Sequence, residues 1–286
     1  MGVTVLGANG KIGRNLMACA RVAQLGWRAQ ARTGQADIIW SGDMAQSSAV
    51  FERGGTIINM IGHTGTDAAL LHDVNVRFVE DMLVQAASAG VAHVILASTA
   101  AVYGNAGLAP LDEETSLHPT SPYGRSKAMM EDVARNFAAN PHSPAITILR
   151  IGNVAGCDAL MAAAQHHVAV KTAMPLHYFA NGATLQRSYI GPRDLFRAIK
   201  GLATPHADGL RVFNVVHPQP VGLDGLLAGY RAHVVPAREW VRTPAPTGTI
   251  PSVTLCTRRL QSQVTFEHFE NPADAFTAQV AEVLSL

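Results

Sequence analysis

Tyr123 and Lys127 stand four residues apart in the segment Ser121-Pro122-Tyr123-Gly124-Arg125-Ser126-Lys127. On a helix that spacing puts both side chains on one face, so an ammonium can sit near both the phenol and a bound ribose. A free phenol titrates near 10, and bringing it toward 7 takes roughly three units, or about 4 kcal/mol of preferential stabilisation of the phenolate. Tyr123 can then act as general acid or base toward a carbonyl or alcohol, while Thr99, in Ala97-Ser98-Thr99-Ala100-Ala101-Val102-Tyr103-Gly104, donates a hydrogen bond to the same oxygen. Each residue also has a plain reading: a rim position for Tyr123, a solvated charge for Lys127, a strand-end cap for Thr99. Their joint occurrence favours catalysis.

A second constellation supplies a partner for that chemistry. Gly7-Ala8-Asn9-Gly10-Lys11-Ile12-Gly13 follows the short apolar run Val3 to Leu6 and leads into a helical pattern at Ile12, Leu16, Met17 and Ala20. Between a strand and a helix, such a loop lets backbone approach a pyrophosphate and aims the helix N-terminus at it. Gly7, Asn9, Gly10, Lys11, Ile12 and Gly13 are therefore expected at a dinucleotide, and Lys127 and an oxidised nicotinamide can together lower the Tyr123 pKa. The end of the second strand decides the cofactor, because an acid there binds ribose hydroxyls while arginine accommodates a 2′-phosphate. The chain reads Arg28-Ala29-Gln30-Ala31-Arg32-Thr33-Gly34, without an acid. NADP is preferred on Arg32 and NAD remains possible. Asp37 and Asp43 come too late for that turn; Asp43, with Met44 beside it, is expected at the adenine edge.

The elements that position these residues alternate. Strands are expected at 3–6, 27–31, 38–40, 56–61, 91–97 and 145–151, with helices after Ile12, over Phe78 to Ala86 and over 121–140. Gly26 and Gly90 mark helix ends. This rhythm predicts an α/β fold, a doubly wound parallel sheet of Rossmann type. Beyond Gly156 it weakens: a helix near 193–203 and a strand near 211–216 are expected, and Pro244-Ala245-Pro246 marks an irregular stretch. The expected organisation is a dinucleotide-binding domain of residues 1–156 plus about 187–217, with a smaller, partly interleaved substrate lobe of about 157–186 plus 218–286.

Composition bounds the partners. In 286 residues, 22 Lys and Arg face 21 Asp and Glu, giving a net charge of +1, and 48% of residues are apolar. That excludes disorder as the main state and lacks the basic footprint of a nucleic-acid or membrane-surface binder. A small-molecule substrate fits, and homodimer formation is left open. Cys19, Cys157 and Cys256 form no paired spacing and the histidines no zinc motif, so no metal is expected. No apolar run approaches the roughly 18 residues of a membrane helix, and residues 2–7 already open the fold, so a cytoplasmic location is expected.

The Ala97 to Gly104 and Ser121 to Lys127 segments together resemble the extended short-chain dehydrogenase/reductase superfamily, in particular the NAD-dependent epimerase/dehydratase family. The likeness extends to Asp43, Asn75, Leu149-Arg150-Ile151-Gly152-Asn153-Val154 and Arg187-Ser188-Tyr189-Ile190 leading to Asp194, and covers about residues 2–216. It implies that Thr99, Tyr123 and Lys127 are catalytic, that Asn153 lies in a loop close to the nicotinamide, and that Ala100, Asn153 and Arg187 border the substrate. His63, after the fourth strand, is read as a wall of that pocket, and Asn75 as a helix cap or bulge group. Family dehydratases carry an acidic pair directly after the catalytic Thr, where this chain has Ala100-Ala101, so dehydration by that route is not expected. Arg187 matches an arginine that clamps the diphosphate of sugar nucleotides; Arg238 and Arg242 are candidates for its partner, and local pairing with Asp194 is the plain alternative. The expected activity is an NAD(P)-dependent oxidoreductase interconverting an alcohol and a carbonyl, with a nucleotide-activated sugar a plausible substrate. A nucleotide-sugar epimerase with tightly bound NAD and a non-catalytic dinucleotide sensor are the alternatives.

Overall fold

A computed structural model describes residues 2–104, 110–207, 209–235 and 240–286. The chain begins β1 (Val3–Leu6), α1 (Lys11–Val22), β2 (Arg28–Ala31), β3 (Ile38–Ile39) and β4 (Thr56–Asn59). It continues through α2 (Ala68–His72), α3 (Phe78–Ala89), β5 (His93–Thr99), α4 (Pro122–Ala138), β6 (Ala145–Ile151) and β7 (Asn153–Val154). Then come α5 (Ala159–Ala169), β8 (Met174–Tyr178), β9 (Gln186–Arg187), β10 (Tyr189–Ile190), α6 (Pro192–Leu202) and β11 (Leu210–Val215). The last elements are β12 (Val221–Gly222), α7 (Leu223–His233), β13 (Trp240–Pro244), β14 (Ser252–Val253), α8 (Arg258–Gln261) and α9 (Pro272–Leu284).

Among the described residues, seven strands form one sheet in the order β11-β6-β5-β4-β1-β2-β3, and every pairing in it is parallel. Side chains of a strand alternate between faces, and here both faces are covered, so successive residues are both apolar. Val5, Ile58, Ile95 and Leu149 pack with α1, α6 and the C-terminal end of α9. Their neighbours Leu6, Ile57, Val94 and Ile148 pack with α3 and α4 on the other side. The doubly wound expectation holds. Strand order reverses between β1 and β4, and a crevice outside the carboxyl ends of the strands at such a switch point is where ligands bind this architecture.

Two departures from expectation bear on the site. β5 runs on through Ser98 and Thr99, which pair with Arg150 and Ile151, so the threonine is the last residue of the strand and not part of a following loop. Between β4 and α3 the chain makes the short α2 and a widened π turn over Asp73–Arg77. Residues 157–186, unpatterned in sequence, contain α5 and β8, and a third apolar cluster joins Leu160, Met161, Leu176, Leu227, Tyr230 and Phe276. No described helix is long and apolar enough to cross a membrane.

Candidate active site

The end of β5 and the first turns of α4 meet residue by residue. The Thr99 hydroxyl faces the Tyr123 phenol closely enough to oppose the rise of its pKa, and the Thr99 oxygen accepts the Ala101 amide at 3.2 Å. One turn further along α4, Lys127 Nζ donates to the carbonyl of Ala97 at 2.8 Å. Another turn on, Ser98 donates to Glu131 Oε1 at 2.6 Å. Three successive residues of β5 thus hold positions 123, 127 and 131 of α4. Helix and turn come this close because position 124 is glycine: a Cβ there would lie 2.6 Å from the Ala101 carbonyl oxygen. Ser121 caps the helix, accepting the Gly124 amide at 3.0 Å.

Burial sets the protonation chemistry. Lys127 is 3% exposed, and loss of water brings its ammonium down to about 8 against the opposing pull of Glu131. Burial pushes the Tyr123 phenol up, opposed by the Thr99 hydroxyl. The sequence reading expects a lowered phenol. In this structure burial prevails at the phenol, and the Lys127 ammonium donates to the Ala97 carbonyl and lies 3.9 Å from Met130 Sδ.

A polar clamp fixes the other side of Lys127. Asn75 sits fully buried in the π turn, where its Oδ1 accepts the His63 amide at 2.8 Å and its Nδ2 donates to the His63 carbonyl and to Ser126 Oγ, each at 2.9 Å. Ser126 in turn donates to the Tyr123 carbonyl at 2.8 Å. Asn75 is therefore neither a simple cap nor a loose bulge group. It ties the loop after β4 to the helix that carries the tyrosine.

A cavity of about 740 Å³ opens at the switch point, walled by Gly7, Asn9, Gly10, Arg32, Met44 and His63 among others. These sequence-predicted residues are brought together. Gly13 packs α1 against the turn so closely that a Cβ there would overlap the Gly7 carbonyl oxygen, and Ile12 and Gly13 lie in the first turn of that helix. The cradle fits a dinucleotide: a glycine turn at a helix N-terminus, Arg32 past the end of β2, and no carboxylate at Ala31. Lys11 lies instead on a separate groove of about 640 Å³ with Arg14, Arg21 and Cys157. Asp43 is exposed, and its Oδ1 accepts the Ala45 amide at 3.0 Å, capping a 3₁₀ turn. Among the described residues, no group of three or more His, Cys, Asp or Glu is placed to hold a metal ion.

On the substrate side, Ala100 opens the turn after Thr99. Asn153 is exposed on β7 and donates to the Ser188 carbonyl at 3.1 Å. Arg187 on β9 does not pair with Asp194, which binds Arg197 at 3.2 Å and Gln279 at 2.7 Å. Its guanidinium donates to the carbonyls of Gln186, Pro251 and Ile250 at 2.8, 3.3 and 3.3 Å. Arg242 stacks on the Tyr178 ring at 4.2 Å, and Arg238 lies outside the described residues.

The sequence reading missed the support beneath these groups. Arg150, 1% exposed, donates to Glu131 Oε2 at 2.8 Å and to the Tyr103 hydroxyl and Glu113 carbonyl, each at 2.9 Å. Tyr103 passes its proton bond to Asn214 at 2.7 Å. The available signal was Glu131 itself, an acid one turn beyond Lys127.

The model of the NAD dependent epimerase/dehydratase family matches residues 3–215. UDP-arabinose 4-epimerase 1 of Arabidopsis thaliana is 43% identical over 72 residues, 25% of this chain and 17% of that one. UDP-glucose 4-epimerase of Azospirillum brasilense is 44% identical over 70 residues, 24% of this chain and 20% of that one. The chain thus spans a fifth or less of the length of these curated relatives. Among solved structures, UDP-glucose-4-epimerase of Stenotrophomonas maltophila with bound NAD and formylated UDP-arabinopyranose superposes with a TM-score of 0.81 at 17% identity, covering 100% of this chain and 99% of the other. MoeE5 in complex with UDP-glucuronic acid and NAD gives 0.77 at 22% identity over 100% of both chains. These likenesses extend the shared fold over the whole length, and the family match over residues 3–215 decides the assignment: the chain belongs to the NAD dependent epimerase/dehydratase family.

Proposed function

We propose that the chain is an oxidoreductase that interconverts an alcohol and a carbonyl on a nucleotide-activated sugar, with NADP(H) as preferred co-substrate. The observation that carries the reading is the Thr99 hydroxyl at the end of β5 beside the Tyr123 phenol, with the buried Lys127 ammonium one turn along α4 tied to Ala97 of the same strand. The nicotinamide, when bound, supplies or accepts the hydride. Tyr123 gives or takes the proton at the substrate oxygen, Thr99 donates a hydrogen bond to that oxygen, and Lys127 holds positive charge beneath them. Ala100 and Ala101 offer no acid or base for elimination. The sugar-nucleotide class is supported by the named substrates of the relatives and by Arg187, whose charge no carboxylate pairs with among the described residues. The cofactor preference is supported by Arg32 in the cavity wall. Arg32→Ala is expected to weaken NADPH about tenfold and NADH little, in keeping with loss of one charge-assisted contact; unchanged NADPH affinity would refute the 2′-phosphate assignment.

A 4-epimerase with a resident cofactor is the second reading, favoured by the activity named for both curated relatives. Supplying UDP-sugars and their 4-keto forms with excess NADPH, while following absorbance at 340 nm and product, separates the two. Product matched by NADPH loss supports the reductase. Isomer without net loss moves the protein to the epimerases, and the absence of any turnover favours a sensor.

A further inference from the structure

Gln30 is a polar side chain sealed within β2, 1% exposed, between the small buried residues Ala29 and Ala31. A buried amide is costly unless both ends are bonded, and both ends are. Its Oε1 accepts the Gly7 amide at 3.1 Å, and its Nε2 donates to the Trp40 carbonyl at 2.7 Å. Its main-chain carbonyl also accepts the Ala8 amide at 2.9 Å. The bond partners follow the strands on either side of β2: Gly7 opens the phosphate turn at φ 72°, and Trp40 begins the stretch of cavity lining that continues through Ser41, Gly42 and Met44. That wall is itself fixed, since the Trp40 amide donates to the Ala31 carbonyl at 2.9 Å and its indole to the Asp43 carbonyl at 2.7 Å. A second tie runs parallel, from Asn9 Nδ2 to the Thr33 carbonyl at 2.9 Å.

A glycine turn left to itself samples many conformations, and ordering it on binding subtracts from affinity. We propose that Gln30 is a positioning residue that locks the phosphate turn and the Trp40 wall into one preformed nucleotide cradle. An apolar residue would fill the same space but would leave the Gly7 amide without its acceptor and the two walls uncoupled. The proposal rests on reading the cavity as the dinucleotide site.

The test uses wild type, Gln30→Leu and Gln30→Thr, titrated with NADPH by calorimetry, with amide exchange followed in ¹⁵N-glycine-labelled protein. Both replacements suit a strand and remove the bridge. Expected is a loss of about tenfold or more in NADPH affinity, in line with two removed hydrogen bonds, in proteins whose circular dichroism is unchanged. The Gly7 amide should lose protection while that of Gly124, bonded to Ser121 Oγ, keeps it. Affinity within twofold of wild type, or unaltered Gly7 protection, overturns the proposal. Should neither variant fold, the unmodified protein decides: slow Gly7 exchange without nucleotide supports a preformed cradle, and fast exchange that slows only with NADPH overturns it. A wild type that binds neither NADPH nor NADH removes the reading of the cavity, and the proposal with it.

Discussion

Lys127 carries an electrostatic cost set by its burial. An ammonium enclosed by Ala97, Met130 and Gly62 loses its water, and its pKa falls to about 8. Its folded value lies below its unfolded one, so below pH 8 the buried charge costs stability, and the cost disappears as pH rises from 8 toward 10.5. Lys127→Met is therefore expected to raise the melting temperature at pH 7, by up to about 3 kcal/mol of stability, with the gain shrinking toward pH 10, while NADPH affinity drops. Wild-type affinity should be flat below pH 8 and fall above it; a profile with no alkaline limb would place the lost charge elsewhere. The pairing of Tyr123 with Lys127 was legible because four-residue spacing is local geometry. The protonation states were not, because burial comes from Asn75, Gly62 and Ala97, residues on elements far away in sequence.

At the scale of elements, β5 and α4 work as one unit through contacts at 97, 98 and 99, and the ion pair of Glu131 with Arg150 anchors it from below. Removing one partner of a fully buried pair strands the other charge, so Glu131→Gln should destabilise by about 3 to 5 kcal/mol in denaturant melts, far more than a surface change; a loss below about 1 kcal/mol would show that the pair is dispensable. At the opposite end of β5, His93 bonds Thr147 at 2.9 Å, and Thr147 meets His206 at 3.1 Å. Burial, then the charge of His206, brings His93 down to about 4 from its usual 6.5. Its neutral form is the one folded in, so stability present above pH 6.5 is lost as pH falls toward 4, by roughly 3 kcal/mol. His93→Gln should flatten that limb of the melting temperature against pH, and parallel curves for the two proteins would contradict the assignment. Strands β1, β4 and β6 were readable as apolar runs between turn residues. The end of β5 was not, since Ser98 and Thr99 look like loop residues until their backbone is seen paired with β6. The π turn left no pattern at all, because one added residue shifts helical periodicity without changing composition.

The molecule as a whole gathers these parts by topology. The reversal of strand order at β1 and β4 puts the glycine turn, the His63 loop and the β5 terminus on one edge. The sequence foretold that edge through its alternating elements. It foretold less about the C-terminal part, where α9 packs against α1, α6 and α7 and strands of two residues carry Arg187, because short segments stabilised by distant partners have no periodicity to read. The central claim is that Tyr123 transfers the proton that accompanies hydride transfer at this edge. The most direct measurement compares wild type with Tyr123→Phe on mixing NADPH-loaded protein with the 4-keto sugar nucleotide, following absorbance at 340 nm in a single turnover. NADPH affinity should stay within about twofold while the absorbance change slows by about 100-fold or more, the usual worth of a general acid. A Tyr123→Phe protein that reacts at the wild-type rate would contradict the account.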